Sequence, residues 1–172
     1  MKMPLDTALW LQFNLYLITL EGYSPSLFID GGPGGNNGKM YRWQLAVDTL
    51  YRCLTCEIMY IWNDAWLNSV GVKNKLGFIN ALALHNPFDE DDFSENGAAY
   101  WLDPLLYGTD CCRLLINKYN IGKFEGKTVC KPFIDEIELV FERHGVGWSE
   151  TPLIFVKQRT NGVGLAFNSE SD

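Results

Sequence analysis

The sequence lacks the compact signatures that assign a chemistry. There is no Walker A phosphate loop: counting back from Gly38-Lys39, the first glycine position holds Pro33, and Met40 follows the lysine where Ser or Thr is required. Nor does a dinucleotide fingerprint with its following acidic residue appear. Only two His and five Cys are present, and their spacing completes no zinc set. Cys53 and Cys56 lie three apart on one expected helix, Cys111 and Cys112 are neighbours that point in different directions, and no His stands at ligand spacing to either pair. Reduced, buried thiols are the expectation. An EF-hand is excluded because Phe93 occupies a coordinating position in the acidic stretch. The chain therefore implies neither a cofactor nor a metal.

It also lacks a membrane span, an internal repeat and an excess of basic charge. The apolar run Ala8 to Leu20 is too short and too polar to cross a bilayer, being interrupted by Gln12 and Asn14. Asp6 precedes it and no small-residue cleavage site follows, so it does not read as a signal peptide. A soluble, cytoplasmic protein is expected. Lys plus Arg number 14 against 21 Asp plus Glu, a net charge of −7. Such a surface repels nucleic-acid phosphates and anionic membranes and attracts basic partners.

What is present suits one globular domain over residues 1–172, with an acidic tail fraying from about 168. Aromatics make up 14% of the chain, six of them Trp, which argues for a packed core. The stretch Lys39–Trp66 carries Trp43, Val47, Leu50, Leu54, Ile58, Ile61 and Ala65 at helical spacing and predicts one long central helix. Gln44, Asp48, Arg52 and Thr55 fall on another side. By this reading Asp48 lies on a polar face, and Asp48→Ala costs under about 1 kcal/mol.

Leu5 to Glu21 alternates like a strand but has the length of a helix and an Asp6 cap, which favour helix. Tyr23 to Gly38 is a Gly-rich loop whose Asn36 or Asn37 could cap the central helix. A shorter helix around Leu76 to Leu84 stops before Pro87, and Asn86 to Gly97 is an acidic loop. Ala98 to Tyr107 reads as a helix starting near Pro104 or as two short turns. Thr109 caps a helix over Asp110 to Tyr119 with Leu114 and Leu115 inward and Gly122 as its stop. Pro132 opens another, through His144, with Phe133, Ile137, Val140, Phe141 and His144 buried and Gly145 as the stop. Pro152 to Lys157 and Val163 to Phe167, separated by Asn161-Gly162, predict a small hairpin. The expected fold class is mainly α: a compact helical domain around one long central helix, with a small C-terminal β-hairpin.

Two acidic clusters are the candidate partner-binding residues: Asp89, Glu90, Asp91, Asp92 and Glu95 in the loop, and Asp135, Glu138 and Glu142 along one face of the late helix. Like charges on neighbouring turns destabilise an isolated helix slightly, so their retention favours a basic partner. The plain alternative is a solvated face.

Tyr41-Arg42-Trp43, the stretch from Trp101 to Gly108 and Gly145-Val146-Gly147-Trp148, set in a compact, acidic, Trp-rich chain, resemble in overall character the immunity proteins of bacterial polymorphic-toxin and contact-dependent inhibition systems. The resemblance implies a small protein that binds a toxin domain, often a basic nuclease, and blocks its active site. It assigns no functional residue. Two rivals are an enzyme using the Gly-rich loop and a Cys or His, and an acidic decoy that imitates nucleic acid.

Overall fold

A computed structural model describes residues 1–33, 38–62, 65–124 and 127–157, with the side chains of Trp66, Glu95 and Asn96 outside the description. The chain is mainly helical, with one two-stranded antiparallel sheet among the described residues. Helix α1, Leu5–Leu20, follows the helical reading and buries Ala8, Leu11, Leu15 and Ile18 on one line. Its N-cap is Pro4, with no capping side chain; Asp6 instead accepts the neighbouring Thr7 N–H at 2.7 Å.

The long central helix of the sequence reading is two elements. Helix α2 spans Lys39–Thr55, capped by Gly38 without a side chain, and strand β1 spans Met59–Trp62. Asn36 and Asn37, the caps expected, lie outside the described residues. The break is a Schellman motif: Glu57 is left-handed at φ 55, its N–H reaches Leu54 O at 3.4 Å, and Ile58 N–H reaches Cys53 O at 2.9 Å. Glutamate rather than glycine occupies the left-handed position, so the stop carries no sequence mark. Beyond it, Met59-Tyr60-Ile61-Trp62 alternates buried and less buried residues as a strand should.

β1 pairs with β2, Leu105–Gly108, in the register Met59↔Gly108 to Trp62↔Leu105. Tyr107 stacks on Tyr60 across the pair, with ring centroids 5.9 Å apart. Residues 105–107, read above as helix or turns, are therefore strand. The connection between the strands holds α3, Ala65–Ser69, and α4, Lys75–Leu84, then α5, Glu90–Asp92, a π-turn over Phe93–Gly97, and α6, Ala98–Trp101. The stretch expected as an acidic loop is thus largely helical from Glu90 onward. Asp89 makes that possible, its carboxylate capping the N–H groups of Asp91 and Asp92.

Thr109 caps α7, Asp110–Lys118, as its spacing implies, accepting the Cys112 N–H at 3.3 Å. The buried stripe is Cys112, Leu115 and Ile116, which leaves Leu114 69% exposed rather than inward. The helix stops at Tyr119 and a left-handed Asn120, before Gly122. Helix α8, Lys131–Arg143, has Pro132 in its first turn and ends in a second Schellman motif around Gly145 at φ 72. Phe133, Ile134, Ile137 and Phe141 fill its buried face, whereas His144 caps the helix and is exposed. α1 sits against β2, α7 and α8, and α2 against α4 and β1, with the core between them.

After α8 the chain runs back across α2 as an extended strap, Val146 to Lys157. This segment joins no strand ladder. The remainder of the expected hairpin, Asn161-Gly162 and Val163 to Phe167, lies outside the described residues, as does the expected tail. Among the described residues no helix is long and apolar enough to cross a membrane.

Candidate functional site

Gln44, Asp48 and Arg52 recur every four residues and so form one line along α2. The strap covers that line and is read by it through backbone groups. Arg52 Nε donates to Val146 O at 3.0 Å and an Nη donates to Gly147 O at 3.4 Å, with the Trp148 ring 5.2 Å from the guanidinium carbon. One turn earlier, Asp48 Oδ1 accepts the N–H groups of both Leu153 and Ile154 at 3.1 Å. Gln44 completes the line: its amide donates to Ile154 O at 2.6 Å and accepts from Val156 N–H at 3.1 Å. The strap ends on α4, where Lys157 N–H meets Ala83 O at 2.8 Å.

Of the stripe that the sequence places on a polar face, Asp48 and Arg52 are therefore buried and Gln44 half-buried, and Thr55 alone is exposed. Arg52 is 1% exposed and Asp48 6%. Burial pushes the Asp48 carboxyl above its usual value, the strap amides and Arg52 acting against that shift. Burial likewise lowers the Arg52 guanidinium, against the pull of Asp48. Both directions say that removal from water outweighs the mutual attraction, as expected for a buried pair whose closest side-chain approach is 3.7 Å.

Beside this line, between α2 and the strap, lies a cavity of about 580 Å³. Met40, Tyr41 and Leu45 supply one wall, and Trp148, Pro152 and Val156 the other. Asp48, Arg52 and Glu150 also line it. Among the described residues neither a thiol nor an imidazole lines it. Among the described residues no group of three or more His, Cys, Asp or Glu is placed to hold a metal ion.

The acidic residues singled out from sequence are divided by the structure. Asp89, Glu90 and Asp91 are exposed at the start of the 90–101 helix. Asp92 is not: it is 5% exposed, its carboxylate lying 2.9 Å from His85 Nδ1 and accepting the Asn86 N–H at 2.8 Å. This pair locks the end of α4 to the following helix, and Tyr100 stacks on the imidazole at 5.1 Å. The Glu95 side chain lies outside the described ones. On α8, Glu138 is 5% exposed and accepts the backbone N–H groups of Lys2 and Met3 at 2.6 Å each. Lys131 lies 2.7 Å from Asp135, and Lys2 pairs with Glu142. The α8 acids thus anchor the amino-terminal segment, which charge counting along one helix could not reveal.

The cysteines are free thiols, four of them buried. Burial raises the Cys53 thiol strongly, Cys56 to about 11 and Cys112 to about 12, which makes them poor nucleophiles. In the Gly-rich loop Gly31 is left-handed at φ 62, while Gly34, Gly35, Asn36 and Asn37 lie outside the described residues. The signal that sequence reading missed is the four-residue spacing of three hydrogen-bonding side chains opposite a late extended segment. No family model, no curated protein and no solved structure matches the chain.

Proposed function

We propose that this is an acidic binding protein that neutralises a basic partner protein, in the manner of an immunity protein blocking a toxin domain. One observation supports it most. Glu90 and Asp91, beside the capping Asp89, present carboxylates to solvent with no ion pair among the described residues, while on α8 Glu138 and Glu142 hold the chain's own Lys2 and Met3, and Asp135 and Glu136 pair with Lys131 and Lys118. In a chain of net charge −7 those exposed acids steer a basic surface inward. The contact region under this reading is Asp89 to Asp91, with Glu142 as an exposed contributor from α8.

The test pairs the chain with a candidate toxin domain drawn from the open reading frames beside its gene. Glu90→Gln with Asp91→Asn should lower the association rate and flatten its salt dependence while leaving Tm unchanged. The same double variant should weaken protection of cells that express the toxin. Binding that is indifferent both to salt and to these substitutions refutes the charge reading, and a toxin that is not bound at all refutes the immunity reading.

A further inference from the structure

We propose that the cavity between α2 and the strap is a binding site for a primary alkylammonium group, with the alkyl chain against its apolar walls and the cation at Asp48 and Glu150. Its volume of about 580 Å³ is that of a ligand site, and Met40, Tyr41, Leu45 and Val156 give it an apolar lining. The charges at its edge number two carboxylates, Asp48 and Glu150, against one guanidinium, Arg52, a balance of −1.

The hydrogen-bond inventory sets the sign of the ligand. Arg52 is 1% exposed and directs its donors to the carbonyls of Val146, Asp48 and Gly147, so an anion finds almost no donor surface on it. Asp48 is the opposite case. Its Oδ1 takes both strap N–H groups, whereas the contact to Oδ2 is Arg52 Nη1 at 3.7 Å, beyond hydrogen-bond reach. Among the described residues that oxygen has no donor nearer than Arg52 at 3.7 Å, and in a largely apolar wall it is the group that a ligand N–H would satisfy. An ammonium supplies three such donors and a compact charge. Glu150, exposed on the strap, stands at the same cavity and adds the second negative charge. The site does not depend on the acidic patch at Asp89 to Asp91 and is tested without any partner protein.

The experiment titrates the full chain with n-hexylammonium, n-hexanol and hexanoate, followed by calorimetry and by NMR shifts of the Trp148 indole and the Leu153 and Ile154 amides. Hexylammonium should saturate and bind about tenfold or more tighter than hexanol, the difference that one charge-assisted hydrogen bond makes. Hexanoate should bind more weakly still. Glu150→Gln, a surface change, should weaken hexylammonium by up to about fivefold and leave hexanol unchanged. Asp48→Asn should remove the preference for the cation while keeping an acceptor for the strap amides. A parallel arm with lysine blocked at both backbone ends separates the sources: its saturation at the same resonances assigns a lysine side chain as an acceptable donor, and saturation by hexylammonium alone assigns a free amine. Equal or tighter binding of hexanoate, or no saturable shift with hexylammonium, overturns the assignment, as does an ammonium preference that survives both substitutions.

Discussion

Replacing Asp48 by alanine tests the interior reading of α2 most directly. The substitution leaves Arg52, 1% exposed, without the carboxylate it pairs with among the described residues, and removes the acceptor of two strap amides. Removing one partner of a buried ion pair costs about 3–5 kcal/mol, against under about 1 for a substitution on a solvent face. Each lost strap hydrogen bond is worth about 1 kcal/mol, but these losses do not add in full. The strap can lift, returning the amides and the guanidinium to water, so its docking energy limits the total. We therefore expect about 3–5 kcal/mol for Asp48→Ala and about 1–2 for Gln44→Ala, which loses two neutral hydrogen bonds. Urea melts at unchanged m-value give the energies, and amide exchange at Leu153 and Ile154 shows where they act. A loss under about 1 kcal/mol for Asp48→Ala, with both amides still protected, would mean that the strap is not held by α2.

Four further outcomes follow from the packing and the titrating groups. Leu54→Ala, at 1% exposure, should cost about 2–5 kcal/mol in the same melts. Glu57→Gly should stabilise by up to about 1 kcal/mol, because glycine relieves the left-handed strain at φ 55; a loss of stability would assign the glutamate a compensating contact. Thiol labelling of the native protein near neutral pH should modify Cys111 alone quickly, with Cys53, Cys56, Cys112 and Cys130 reacting only on unfolding; rapid modification of Cys56 or Cys112 would contradict their burial. Lys118 and the Tyr119 hydroxyl hold the Glu136 carboxylate below its usual 4.5. Its stabilising contribution is thus present above pH 4.5 and is lost as the pH falls through the lower folded value, so Glu136→Gln should flatten the acid limb of the stability profile.

The elements legible in the sequence are those whose ends carry local chemistry. Thr109 before α7, and Pro132 and Gly145 around α8, mark boundaries by side chains or backbone freedom that act within one turn. The end of α2 was illegible because glutamate stands where glycine would signal a Schellman motif, and because Ile58 and Ile61 continue the helical period by coincidence. Four-residue strands paired with residues 43 to 49 positions away leave a pattern too short to separate from helix. The fate of the polar residues was hidden for a related reason. Periodicity tells which residues share a face and not what covers it. Gln44, Asp48 and Arg52 look like a solvated stripe until a segment about a hundred residues later lies over them. The acids of α8 look like a docking face until Lys2 and Met3 arrive from the other end of the chain. Asp89 to Asp91, and Glu142 on α8, kept the exposure that counting suggested.

The strap also sets the order of events in folding. Its hydrogen bonds to α2 join residues separated by 94 to 112 positions, so each closes a loop of more than half the chain. α2 and α4, by contrast, are joined by Trp43 Nε1–H to Leu82 O, a separation of 39. Loop-closure entropy favours the nearer contacts first, which places strap docking late on the folding route. Interactions formed after the transition state govern the rate of unfolding and hardly touch the rate of folding. The Gln44–Asp48–Arg52 line is accordingly expected to act as a kinetic latch: Gln44→Ala should raise the unfolding rate and leave the folding rate unchanged, and a slowed folding limb would place strap docking before the transition state.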